Sequence, residues 1–257
     1  MRHDRMLVQW MRDVGVTLLT PAHFIQCLTD FYNAGYAYST ANLLRSALAL
    51  SCRIWMVRQP YVTDHPSVKA ALLGYRRLAS YRSTRRSPIR HARLLSLIRM
   101  AAYWVPPVLM RQVVLAFRLG YAALLRISEL LAIRRRQVSL ARNRVLIFLP
   151  SSKNDQMSHG MTVVVRCPIV YQQLAERIAD LPPQSFVFTV SSTLLNHVIR
   201  LVAREAHWEG YFSFHSLRHG RASDLWEEHH SLPMLMAAGR WLSMAAARIY
   251  IHVTDTC

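Results

Sequence analysis

Acidic residues are in short supply in this 257-residue chain, with 14 Asp and Glu against 32 Lys and Arg and a formal net charge of +18. Lysine is scarcer still. Only Lys69 and Lys153 occur, so nearly every basic residue is Arg. No apolar run approaches the roughly 20 residues that span a bilayer. The opening "MRHDRMLVQWMRDVG" mixes charges with short apolar pieces and lacks the apolar core of a signal peptide. The four cysteines, Cys27, Cys52, Cys167 and Cys257, have no C-x-x-C spacing. That argues against a zinc site and a disulfide framework and points to a reducing compartment. Internal repeats and low-complexity tracts are missing as well.

What is present is a hydrophobic content of 52%, which excludes a disordered polycation. The length fits one large domain or two modest ones. A folded chain with a pI near 10.8 is expected to meet a polyanion, nucleic acid before a membrane surface.

Up to about residue 80 the pattern is helical. Thr20-Pro21 pairs a cap with Pro at the first helical position, and Gly35 is a stop. The helix from Ser39 or Thr40 places Leu43, Leu44, Ala47, Leu48 and Cys52 on one face. "HPSVKAALLGYRRLAS" is a further helix. Next comes "YRSTRRSPIRHAR", residues 81–93, basic, polar and broken by Pro88. It reads as a linker able to lie along a phosphate backbone or simply as a solvated loop. Helices at about 91–102 and 107–123 follow. "QVSL", "RVLIFLP" and "MTVVVRCP" read as three antiparallel strands, the first two joined by a turn at "ARN". Helices return at 168–180, 192–206 and 215–229 and near the end. The expected fold is mainly α with a small antiparallel β-sheet (α+β). The expected boundaries are a helical domain at 1–82, a basic linker at 83–90 and a second domain at 91–257.

Several residues have chemical potential, and each has an ordinary explanation beside it. In "YAALLRISELLAI", Ala123, Leu124, Ile127, Leu130 and Leu131 form an apolar stripe at helical spacing. Arg126 and Glu129 lie off that stripe and three apart, so they can pair, as a surface ion pair or in a site. Arg134, Arg135 and Arg136 follow as a solvated or DNA-facing run. Lys153 lies in the turn region "PSSKNDQMSHG". In so Arg-rich a chain, a retained Lys suits a position that must give up its proton, which Arg cannot do. His215 and Arg218 share a helix face, with Ser213 as the candidate cap. Trp241 is core or an N–H donor. Tyr250 follows nine residues later, at the edge of a short helix begun by Ser243, and is core, interface or nucleophile.

Taken in order, these residues resemble the signature of the tyrosine recombinases of the phage-integrase superfamily. That signature runs R-x-x-E, Lys in a β-turn, H-x-x-R, His or Trp, then Tyr nine residues on. Arg126–Glu129, Lys153, His215–Arg218, Trp241 and Tyr250 fill its slots. "LLRISELLAIRRRQV", "FHSLRHGRAS" and "GRWLS…YI" resemble the three motif blocks. The "GRW" form looks most like DIRS-like and Crypton mobile-element recombinases. The resemblance covers about residues 88–253. Residues 1–82 then take the place of the helical core-binding domain, and 91–257 that of the catalytic domain.

The resemblance implies site-specific DNA strand exchange, integration or excision of a mobile element, without metal or other cofactor. Arg126 and Arg218 would clamp a DNA phosphate, with Glu129 positioning Arg126. Tyr250 would attack phosphorus to give a 3′-phosphotyrosyl link. Lys153 would protonate the leaving 5′-oxygen, His215 would assist proton transfer or orient the phosphate, and Trp241 would donate an N–H or pack the site. Arg82, Arg85, Arg86, Arg90, Arg134, Arg135 and Arg136 are the expected DNA contacts. The implied partners are double-stranded DNA and further copies of the chain, a dimer on a site and a tetramer in synapsis, with no membrane. The expected location is the nucleus for a eukaryotic element and otherwise the cytoplasm or nucleoid.

Three departures stand out. Leu124 and Leu125 occupy the place of a Gly near the first Arg. Gly239 is followed by Arg240 before the Trp. Only "IHVTDTC" follows Tyr250. The alternatives are a non-cutting DNA-binding protein descended from a recombinase, relaxation of the type IB topoisomerase kind and, last, a basic RNA-binding bundle, against which stands the absence of a stacking-platform motif among the aromatics.

Overall fold

The computed structural model describes residues 2–54, 62–79, 86–150 and 160–250. The chain divides into two compact units, Met1–Ser83 and Thr84–Cys257.

In the first unit, Thr20 caps a helix as its sequence predicts, its hydroxyl accepting from His23 N–H at 3.2 Å. Among the described residues the unit's α-helices are α1 (Arg2–Val14), α2 (Pro21–Asn33), α3 (Tyr38–Ile54) and α4 (Pro66–Leu78). Phe24, Cys27, Leu28, Phe31, Leu72 and Tyr75 fill their core. The buried face of α3 differs from the expected one. Ala41 and Leu44 point inward and Leu43 is 49% exposed. The inward positions follow the i, i+3, i+7 row through 41, 44 and 48, and Leu43 lies about 100° around the helix from its neighbour Leu44.

The second unit begins with helices α5 (His91–Ala101), α6 (Pro107–Ala122) and α7 (Ile127–Leu131). Strands β1 (Val138–Ala141), β2 (Arg144–Leu149) and β3 (Met161–Val165) follow as an antiparallel sheet in the order β1-β2-β3. The expected turn joins β1 to β2, with Asn143 at φ 54°, a left-handed conformation Asn tolerates. Val145, Ile147 and Leu149 alternate into the core, as period-2 spacing requires. Helices α8 (Pro168–Ile178), α9 (Ser192–Glu205), α10 (His215–His229), α11 (Leu232–Gly239) and α12 (Met244–Arg248) complete the unit.

Two local features differ from the sequence reading. The apolar stripe 123–131 is not one helix. The chain breaks at Leu124, with φ 47°, and Leu125 N–H returns to the Gly120 carbonyl at 3.0 Å, which closes α6 with a C-terminal cap. Arg126 is thereby the residue that opens α7. Residues 86–90, within the expected linker, are built into the second unit. Ser87 N–H donates to the Tyr211 carbonyl and Ile89 N–H to the Ser216 carbonyl, each at 2.9 Å. Ile89 is fully buried. A Cβ on Gly220 of α10 would lie 1.8 Å from the Ile89 carbonyl oxygen, so only Gly admits this approach.

Candidate active site

The turn from α6 into α7 is the first wall of the site. Arg126 Nη1 meets Glu129 Oε1 at 2.5 Å, and Glu129 Oε2 accepts the Arg126 backbone N–H at 2.9 Å. This pair is not on the surface, because the Glu129 side chain is only 6% exposed. Burial alone would raise the Glu129 carboxyl. The Arg126 N–H and the guanidinium groups of Arg240 and Arg126 outweigh it and hold the carboxyl below its ordinary range.

Helix α10 is the second wall. His215 and Arg218 sit in its first turn, as their spacing predicts. Ser213 does not cap it with its side chain. The cap residue is Phe214, and the Ser216 hydroxyl accepts from Ser213 N–H at 3.1 Å. Arg218 has no exposed surface. Its two terminal nitrogens donate to the carbonyls of Leu124 and Gly239, and the Trp241 ring covers it, with 4.8 Å from guanidinium carbon to ring centre. Burial and the neighbouring Arg240 and Arg126 bring its pKa down to about 10, which still leaves it charged near neutrality. Burial, His219 and the cations Arg86, Arg218 and Arg126 push His215 down to about 3. Its imidazole is therefore neutral at physiological pH.

The end of the chain is the third wall. Gly239 closes α11, and Arg240 follows at φ 57°, ψ 45°, a conformation that costs a non-Gly residue roughly 1 kcal/mol. Trp241 then folds back over Gly239, where a Cβ would lie 1.9 Å from the indole ring. Ser243 caps α12 as expected, its hydroxyl accepting from Ala246 N–H at 3.2 Å. Tyr250 lies just past α12. Its ring stacks on Trp241 at 4.5 Å and packs beside His219 at 4.3 Å. Its hydroxyl is 3.2 Å from His215 Nε2, and its carbonyl accepts from the Ser223 hydroxyl at 3.1 Å.

The sequence-predicted residues Arg126, Glu129, His215, Arg218, Trp241 and Tyr250 therefore meet in one place. Lys153, Arg82 and Arg85 lie outside the described residues, Lys153 in the stretch between β2 and β3. The expected DNA contacts fall into different positions. Arg86 lines a cavity of about 420 Å³ with Arg126, His215, Asn196 and Arg200. The three guanidinium groups there suit an anion. Arg90 instead pairs with Glu227 at 2.5 Å. Arg134 donates to the Gln184 carbonyl and stacks on Phe186. Arg135 donates to the Ile178 and Val138 carbonyls at 3.0 and 3.2 Å. Arg136 is exposed.

The sequence reading missed His219, Ser223, Arg200 and Arg240 as parts of this place. His219 and Ser223 had a usable signal, since they follow His215 at i+4 and i+8 on one helix. Arg240 appears in the sequence only as a departure before Trp241.

The sequence profile described as "Phage integrase family" matches residues 89–256. No curated protein matches the chain. Among solved structures, the Tn1549 transposon integrase in complex with circular intermediate DNA has a TM-score of 0.67 at 13% identity, covering 98% of this chain and 88% of that one. A lambda integrase dimer bound to a COC′ core site has a TM-score of 0.61 at 16% identity, covering 98% and 73%. The XerH site-specific recombinase bound to difH substrate has a TM-score of 0.57 at 13% identity, covering 86% and 68%. At such identities these likenesses speak for the fold. The profile match runs over well more than half of the chain. The chain belongs to the phage integrase family and is a tyrosine recombinase, an enzyme that breaks and rejoins DNA.

Proposed function

We propose that the chain exchanges DNA strands at specific sites through a 3′-phosphotyrosyl intermediate, without metal, on behalf of a mobile element. One observation carries this reading. The Tyr250 hydroxyl is 3.2 Å from Nε2 of a histidine held neutral, which feels the charges of Arg126 and Arg218. The neutral imidazole leaves a lone pair for the phenol O–H; a DNA phosphate among the cations that now depress His215 raises its basicity, and a phenol that gives up its proton becomes a nucleophile. Tyr250 Oη forms a bond to phosphorus while the bond to the 5′-oxygen breaks, and Lys153 donates the proton that the 5′-hydroxyl gains. Arg126 and Arg218 hold the non-bridging oxygens and stabilise the charge that builds on them. Trp241 covers Arg218, so this ring shifts when Arg218 takes a phosphate. The ester to Tyr250 conserves the energy of the broken bond, and a second 5′-hydroxyl reverses the step on a new partner strand.

Each chain supplies one nucleophile, and exchanging both strands of two duplexes uses four. The working unit is therefore a dimer on each site and a tetramer in synapsis. The "GRW" block supports a place among the DIRS-like and Crypton recombinases, and with it a nuclear site of action.

Covalent trapping tests the reading. Purified protein is offered nicked duplexes with randomised sequence around the nick, and then denatured in detergent. Protein-linked DNA is expected with the wild type and absent with Tyr250→Phe, at nearly unchanged DNA affinity. An adduct that persists in Tyr250→Phe refutes the nucleophile. A wild type that binds this DNA well and forms no adduct refutes the cleavage reading.

A further inference from the structure

We infer that Arg240 is a positioning residue for the cleavage reaction, which keeps Arg126 available to DNA by taking up the charge of Glu129. The inference rests on the proposed function. Arg240 occupies a left-handed position that Gly would hold without strain. Its side chain is 4% exposed, and burying a guanidinium is costly without partners. It has three. Nη1 donates to the Ala123 carbonyl at 3.0 Å. Nη2 donates to the Leu124 carbonyl at 2.9 Å and to Glu129 Oε2 at 2.8 Å. A strained backbone and a buried charge at one residue point to a role that Gly cannot fill.

The connections define that role. Ala123 and Leu124 form the break between α6 and α7, and Arg126 stands two residues on. The Leu124 carbonyl accepts from both Arg240 and Arg218. The peptide before Arg240 supplies the Gly239 carbonyl to Arg218. Arg240 thus fixes the turn that carries one phosphate-clamping arginine and leads into the carbonyl that orients the other.

Charge completes the case. Glu129 is a single buried carboxylate facing Arg126 and Arg240, with Arg218 close enough to feel it. With Arg126 as its sole cation, Glu129 would neutralise the group meant for the phosphate. With Arg240 on its other oxygen, Arg126 keeps a net positive field toward DNA. The terminal nitrogens of Arg240 donate to the turn and to Glu129, which is where its charge is spent.

The test uses Arg240→Gly, which relieves the backbone strain while removing the guanidinium, together with Glu129→Gln and the double variant. Single-turnover adduct formation on a nicked duplex is expected to fall about tenfold or more in Arg240→Gly, as displacement of a catalytic group predicts, with DNA affinity changed far less. The loss in the double variant should be smaller than the product of the single losses, since both substitutions act on one pair. An Arg240→Gly protein that cleaves at the wild-type rate overturns the inference, and so do losses that multiply. Thermal melting of the same four proteins is read in parallel and needs no cleavage. If the wild type forms no adduct, the proposed function fails. The ion pair is then judged on melting alone, where additive shifts overturn it as well.

Discussion

His215 carries the sharpest expectation at the scale of single residues. Its pKa lies near 3 in the fold, below an ordinary imidazole value of about 6.5. The unfolded chain therefore binds a proton at His215 below pH 6.5 while the folded chain does not. Stability from this group is fully present above that pH and is lost as pH falls toward 3, at up to about 1.4 kcal/mol per pH unit. His215→Gln should flatten the acid limb of a stability–pH curve by one proton. An unchanged slope in urea unfolding between pH 6 and 4 would contradict the burial of a neutral imidazole. The residues of this site were legible in the sequence to the extent that their partners are local. Arg126 and Glu129 are three apart as the cap and third residue of α7, and His215 and Arg218 are three apart within one helical turn, so local geometry alone sets each pair on one side. The environment was not legible. Glu129 looks like a surface partner until Arg240, 111 residues away, is brought onto its other oxygen. Arg90 looks like a DNA contact until α10 brings Glu227 to it.

The elements followed the sequence wherever the signal was short-range. Thr20-Pro21 and Ser243 opened helices through their own hydroxyls, and the alternation of Val145, Ile147 and Leu149 made a strand of "RVLIFL". The failures have a common physical cause. Leu124 takes a left-handed backbone without the Gly or Asn that would announce it, because closure of α6 and the carbonyl demands of Arg218 and Arg240 hold it there. Residues 86–90 have the Arg, Ser and Pro of a loop, yet they find backbone partners at Tyr211 and Ser216 that exist only once α10 is in place. Gly220→Ala tests this second point. The added methyl would collide with the backbone of Ile89 and should destabilise the unit by about 2 kcal/mol, as overpacking does. The released segment should also become sensitive to trypsin after Arg86 or Arg90 in the native state. Resistance equal to the wild type would show that this seam is not what holds residues 86–90.

On the scale of the whole molecule, a net charge of +18 makes DNA affinity fall steeply with salt, each neutralised phosphate adding about −0.9 to the log–log slope. Arg86, in the cavity beside Arg126, should supply one such contact. Arg86→Ala should weaken binding to all sequences alike and make the slope shallower by about one phosphate. An unchanged slope in binding titrations across salt would remove Arg86 from the interface.

The carbonyls of Ala123, Leu124 and Gly239, which hold the buried guanidinium groups, belong to the main chain. No point mutation deletes a carbonyl. A lineage carrying this site is free to drift at position 124, provided the backbone still bends there. The clamp is inherited as a shape, and two copies with little wording in common can hand it down intact.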